Sequence, residues 1–96
     1  MQFEFHDDDA RVSLSGEFTF TDHLAFKAIV SRLFEKQDQP VVIELAKLEF
    51  IDSAGLGMLL LLNEAAGSAV TLQRPLGQVQ RLLAASRFHS LMPIVG

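Results

Sequence analysis

Apolar residues in this chain switch between two spacings, and that switching limits the fold more than any other feature. In "MQFEFH" and "RVSLSGEF" they alternate with polar ones. Phe3 then shares a face with Phe5, and Val12 with Leu14, the period of a half-buried strand. The polar "HDDDAR" between them reads as a turn, so the pair predicts an antiparallel hairpin, with Gly16 marking its end or a bulge. The spacing then lengthens. Phe26, Ile29, Val30, Leu33 and Phe34 in "TDHLAFKAIVSRLFEK" form one stripe of a helix, with Thr21 or Asp22 placed as N-cap and "KQDQP" closing it. "PVVIEL" has the look of a short buried strand, and "AKLEFI" after it reads as a loop.

Further on, the β-branched "SAVTLQ" predicts another strand. "RPLGQVQRLLAASRF" predicts a helix opening near Pro75, with Leu76, Val79, Leu82, Leu83 and Ser86 on one face, and "LMPIVG" a last strand. With a helix over the apolar run after Asp52, the order is β-β-α-β-α-β-α-β. That order favours right-handed crossovers and parallel pairing behind a leading hairpin. The expected class is α/β, a small mixed sheet with helices packed on it. Ninety-six residues without a repeat, low-complexity tract or linker predict a single domain over residues 1–96. The eight phenylalanines fall on expected core faces.

Composition narrows the function. The hydrophobic fraction of 49% fits a packed domain and not a disordered chain. No cysteine is present, which removes disulfides, thiol chemistry and cysteine-ligated zinc. The net charge is −4, and the eight basic residues are scattered, so no nucleic-acid partner is expected. The acidic, alternating start is unlike a signal peptide. The longest apolar run, Met58 to Leu62, is far short of the roughly 20 residues that span a bilayer. The expectation is a cytoplasmic protein with no membrane insertion. "HDDD" lacks the spacing and glycine of a calcium loop and reads as a solvated turn; His89 reads as structural or solvent-facing.

The segment that carries chemistry is "FIDSAGLGMLLLLNEAA", residues 50–66. An acidic residue and a serine stand at the mouth of an apolar run, followed by Gly55 and Gly57. Each glycine costs a helix about 1 kcal/mol against alanine. One reading is structural. Asp52 or Ser53 caps the helix, Ile51 and Leu56 occupy the two positions of a hydrophobic staple, and the run packs all round. The other adds a use. A helix N-terminus offers unpaired N–H groups and positive partial charge, so Ser53 there can carry a phosphoryl group without disturbing the fold. A nucleophile elbow is not formed, because Ile51 stands where its first glycine would be and no histidine is tied to Ser53. No P-loop sequence is present. No cofactor, metal or small-molecule substrate is expected.

"LEFIDSAGLGMLLLL" resembles the signature of STAS domains, in particular the anti-sigma factor antagonists of bacteria, and the likeness extends through "LSGEF", "VVIEL" and "PLGQVQRLLAASRF". The resemblance implies a STAS fold and a non-enzymatic switch. Ser53 would be the phosphoacceptor, with Asp52, Ala54, Gly55, Leu56, Gly57 and Met58 supporting it or meeting the partner. Asp52 would cap the helix, the glycines would permit close approach, and Leu56 and Met58 are placed either at the docking surface or in the core. The implied partners are an anti-sigma factor that is also a serine kinase, and a metal-dependent serine phosphatase. Thr19 stands where many relatives have Asp, with Asp22 and His23 as nearby substitutes. STAS subunits of lipid-transporter ATPases share the "D-S/T-A-G-L" pattern without phosphorylation, and other antagonists act on motility or biofilm partners; both remain alternatives.

Overall fold

The structure is a computed structural model that describes residues 1–6, 10–35, 40–66 and 69–96. The acidic turn at 7–9, residues 36–39 of "KQDQP", Ser68 and the Phe34 side chain lie outside the described residues. The strands are β1 (Gln2–His6), β2 (Arg11–Phe18), β3 (Val41–Ile51), β4 (Val70–Gln73) and β5 (Ile94–Val95). The helices are α1 (His23–Phe34), α2 (Ser53–Ala65) and α3 (Gly77–Ala85), with 3₁₀ turns at Phe20–Asp22 and Phe88–Ser90.

The strands lie side by side in chain order. β1 pairs antiparallel with β2, and every later neighbour is parallel. Stepping always the same way with right-handed crossovers puts all three helices on one face of the sheet. Burial agrees. Val12, Leu14 and Phe18 of β2 are fully buried, together with Ile43, Leu72, and Ile29, Leu59 and Val79 from the three helices. Their alternates Arg11, Ser13 and Ser15 are only half-buried on the other face.

Four expectations change. First, "AKLEFI" is not a loop: β3 runs unbroken to Ile51. Its register with β2 shifts between Ser13 and Ser15, and again between Gly16 and Glu17. At each shift β3 carries one residue more than β2, a bulge that resets which face the side chains point to. Alternation is lost in the sequence although the ladder continues. Gly16, at the second bulge, has φ +81°, which few other residues adopt.

Second, Asp22 precedes α1 but makes no side-chain cap bond to it. Its carboxylate turns back to cap the Phe20–Asp22 turn instead. Third, the phenylalanines divide. Phe18, Phe26 and Phe88 are buried, whereas Phe3, Phe20 and Phe50 are exposed, Phe20 by 70%. The expected α3 face also narrows: Val79 and Leu83 are buried, Leu82 is half-buried, and Leu76 and Ser86, the caps at either end of the nine-residue helix, are exposed. Pro75 lies just outside it.

On the polar face, Glu44 is 8% exposed and accepts two hydrogen bonds from Arg74, at 3.2 and 2.9 Å, and one from Arg11 at 3.3 Å. The Arg74 hydrogen bonds, with help from Ala46 N–H and Arg11, outweigh desolvation and hold the carboxyl below its ordinary range.

Candidate functional site

The site forms where β3 hands over to α2. Phe18 and Ile51 are partners in the parallel ladder, and the Phe18 carbonyl accepts the Asp52 N–H at 3.2 Å. β4 has ended by this level, since its pairing stops at Glu44. The edge of β3 left open at Ile51 is filled by a side chain. Gln78 of α3 donates from Nε2 to the Ile51 carbonyl at 2.9 Å and accepts the Ile51 N–H at Oε1, 3.0 Å. The amide thus acts as a one-residue strand and fixes the backbone directly before Asp52.

Asp52 is the N-cap of α2, in extended conformation. Its two oxygens serve two elements. Oδ1 accepts the Gly55 N–H at 2.8 Å, within the helix it caps, and Oδ2 accepts the Phe20 N–H at 3.1 Å, from the turn that follows β2. One carboxylate therefore ties the start of α2 to the β2–α1 connection. An N-cap of this kind contributes about 1 kcal/mol. Ile51 and Leu56 occupy the staple positions and are both buried.

Ser53 is the first residue of α2 and is exposed; among the described residues its hydroxyl has no hydrogen-bond partner. The amides of Ser53 and Ala54 have no intrahelical acceptor by helix geometry. A negative group on Ser53 would thus meet the positive end of the helix dipole, worth about 0.3–1 kcal/mol at an exposed position. The helix is held from below by Leu56, Met58, Leu59 and Leu62, all buried, at about 1.5–3 kcal/mol for each fully buried side chain.

The other expected site residues separate into two groups. Ala54 is half-buried, while Leu56 and Met58 are both 8% exposed and belong to the core. Met58 does reach the floor of a trough between α1 and α2. The glycines have different reasons. A Cβ on Gly55 would sit 2.6 Å from Ile51 Cγ1 and 2.9 Å from the Phe18 carbonyl oxygen, so this glycine serves close packing inside the chain. A Cβ on Gly57 would meet nothing within 4 Å, and Gly57 is exposed. Leu61, expected to be packed with the rest of the run, is 65% exposed.

The Thr19 position is rebuilt locally. Thr19 caps the Phe20–Asp22 turn, and Asp22 Oδ2 accepts the Thr19 N–H at 2.9 Å while Oδ1 accepts from the Met1 amino group at 3.0 Å. Partial burial opposes ionisation of Asp22, but the Thr19 N–H and the Met1 amine outweigh it and lower its pKa. Asp22 is therefore engaged in its own capping box, and His23 is exposed at the start of α1. Reading Thr19 to Asp22 as a capping pattern would have found this arrangement. Nothing in the sequence marks Gln78, an ordinary polar residue on an amphipathic helix.

A leading hairpin, βα units wound along one sheet, and an Asp-capped helix with an exposed serine in its first turn define a STAS-type domain. The family's sequence model, described as "Mlab, STAS domain", matches residues 1–95. A STAS-domain containing protein of Pseudomonas aeruginosa (strain UCBPP-PA14) is 31% identical over 86 residues, covering 86% of this chain and 84% of that protein. The chain belongs to the STAS family. Among solved structures, a Thermotoga maritima protein assigned as an anti-sigma factor antagonist superposes with a TM-score of 0.79 at 22% identity, covering 99% of this chain and 85% of the other. The anti-sigma factor antagonist SpoIIAA, in its unphosphorylated form, gives 0.65 at 19% identity, covering 99% and 86%. At these identities the likeness is one of fold. Among the described residues, no helix is long and apolar enough to cross a membrane, and no group of His, Asp and Glu is arranged to hold a metal ion.

Proposed function

We propose that this chain is a phosphorylation-switched antagonist of an anti-sigma factor, with Ser53 as its phosphoacceptor. The observation that carries the reading is the Ser53 hydroxyl, exposed and unpartnered in the first turn of a helix that the core anchors. In its unmodified form the chain binds an anti-sigma factor that is also a serine kinase, and the sigma factor is released to direct transcription. The kinase transfers the γ-phosphoryl group of ATP to Ser53 Oγ. The new O–P bond forms, the hydroxyl proton is lost and ADP leaves. A metal-dependent serine phosphatase returns the serine by hydrolysis. The residues of the site act by position: Asp52 caps and orients the first turn, and Gly55 lets α2 lie against the end of β2.

The size of the effect suits a switch. Phosphorylation adds about −1.5 to −2 charges at an exposed point beside the Asp52 carboxylate, in a chain whose net charge is already −4. Like-charge contact across an interface costs several kcal/mol, and about 1.4 kcal/mol is a factor of ten in affinity. The fold itself need not change.

The test is binding to the serine-kinase anti-sigma factor of the same organism by calorimetry, with Ser53→Ala and Ser53→Asp compared. Ser53→Ala is expected to bind as the parent does and to resist release by ATP, and Ser53→Asp to bind at least tenfold more weakly. Equal binding by both variants would remove the switch. A stable complex with a transporter ATPase, without phosphate, would move the chain to the transporter-subunit class.

A further inference from the structure

We infer that the trough between α1 and α2 seats a helix of the partner, apolar on its buried side and carrying an acidic residue, while that partner's kinase site closes over Ser53. This rests on the switch reading above. Three observations lead to it.

Among the large apolar side chains described, the three most exposed are Leu24 at 78%, Phe20 at 70% and Leu61 at 65%. Of these, Leu61 lines the trough itself; Leu24 follows His23 in α1, and Phe20 is bonded through its backbone to Asp52. An exposed leucine at the rim of an apolar groove marks a candidate interaction site.

The stripe on α2 is continuous with the phosphoacceptor. Ser53, Gly57 and Leu61 follow at four-residue spacing on one face and are all exposed. Eight residues of helix separate Ser53 from Leu61 by about 12 Å. Gly57 leaves open space between them. A hydroxyl that accepts a phosphoryl group must approach it to about 3–3.5 Å, so a kinase acting on Ser53 lies against this mouth. The trough, of about 360 Å³, is lined by Phe26 and Val30 of α1 and by Met58, Leu61, Leu62 and Ala65 of α2, so Leu61 is the residue it shares with the Ser53 stripe. It is a groove between two helices, the shape that receives an amphipathic helix through anchors at i, i+3 or i+4, and i+7.

Charge selects the occupant's sign. Among the described residues, the titratable groups that line the trough are His23 and Lys27, both basic, in a chain of net charge −4. Asp22, just before α1, is taken up by Thr19 and Met1, and Glu64 of α2, exposed and three residues beyond Leu61, is not among the lining residues. An acidic side chain on the incoming helix meets Lys27.

The experiment titrates the full chain with its organism's serine-kinase anti-sigma factor loaded with ADP, by calorimetry, and separately scores Ser53 phosphorylation with ATP. Leu61→Lys and Lys27→Glu change exposed positions, and unchanged thermal melts establish that both stay folded. Each is expected to raise Kd at least tenfold, while Ser53→Ala binds normally. If both variants bind within twofold of the parent and Ser53 is still phosphorylated, the trough is not the seat, and the switch reading survives alone. If the parent itself neither binds nor is phosphorylated, the switch reading falls and the trough assignment with it. Two controls decide against a protein helix: saturable binding of the fluorescent fatty acid cis-parinaric acid that Leu61→Lys abolishes, and self-association in sedimentation that Leu61→Lys abolishes. Either result would overturn the proposal.

Discussion

Gly55 and Gly57 allow one substitution to be made twice, two residues apart on one helix, with opposite expected signs. At Gly57 an alanine methyl enters open space. The gain is that of replacing glycine in a helix, about 0.5–1 kcal/mol. At Gly55 the same methyl falls 2.6 Å from Ile51 Cγ1 and 2.9 Å from the Phe18 carbonyl, both far inside ordinary contact. Ile51 is fully buried. The Phe18 carbonyl belongs to backbone that accepts the Asp52 N–H. Overpacking of this kind costs about 1–3 kcal/mol. Any retreat of the helix also lengthens the 2.8 Å cap bond from Gly55 to Asp52, worth about 1 kcal/mol. After the propensity gain, Gly55→Ala should lose about 1–2 kcal/mol, and the two variants should differ by about 1.5–3 kcal/mol. Urea unfolding followed by far-UV circular dichroism measures this, with unchanged m-values as the check on the comparison. In thermal melts the separation should be about 6 °C or more, at about 4–8 °C per kcal/mol for a chain of this size. Equal stability of Gly55→Ala and Gly57→Ala would show that α2 does not press on the end of β2 as described.

Three further outcomes follow from the same contacts. Asp52→Ala removes the acceptor of both Gly55 N–H and Phe20 N–H; a loss of about 1–2 kcal/mol is expected in urea unfolding, with faster amide exchange at Phe20 as well as Gly55. Gln78→Ala leaves both Ile51 backbone groups without their side-chain partner and should cost about 1–3 kcal/mol. Gln78→Glu should be no better, because a carboxylate accepts from the N–H but faces the carbonyl without a donor. Glu44 gives a pH signature. Its folded pKa lies below the ordinary 4.5, so its contribution is complete above about that pH and is lost as pH falls through the folded value. Stability measured from neutral pH down through 4.5 should decline, and Glu44→Gln should be less stable at neutral pH with a flatter decline.

Much of the fold could be read from residue spacing, because the strands that keep alternation and the helices that keep a stripe bury those same residues. Val12 and Leu14, and Phe26, Ile29 and Leu33, are all buried as their spacing predicts. β3 beyond Leu45 escaped because two bulges interrupt the alternation that makes a strand visible. The cap at Asp52 was legible as one of two candidate caps, since Asp, Ser and an apolar run in that order are a local pattern. What the sequence did not carry were the contacts between distant segments: Phe20 to Asp52, Gln78 to Ile51, and Gly55 beneath Phe18. Those depend on where β2 and α3 end in space, which no local spacing encodes. Leu61 escaped for the opposite reason. An apolar run predicts burial, and this residue stays on the surface.

The central claim is that Ser53 is the residue the partner modifies. The direct measurement is site mapping by tandem mass spectrometry after the full chain is incubated with its serine-kinase anti-sigma factor, ATP and magnesium. The account predicts a single phosphate, on Ser53, absent from the Ser53→Ala variant and removed by the organism's metal-dependent serine phosphatase. Phosphate on Thr19, Thr21 or another residue, or an active kinase that binds the chain and leaves Ser53 unmodified, would contradict it.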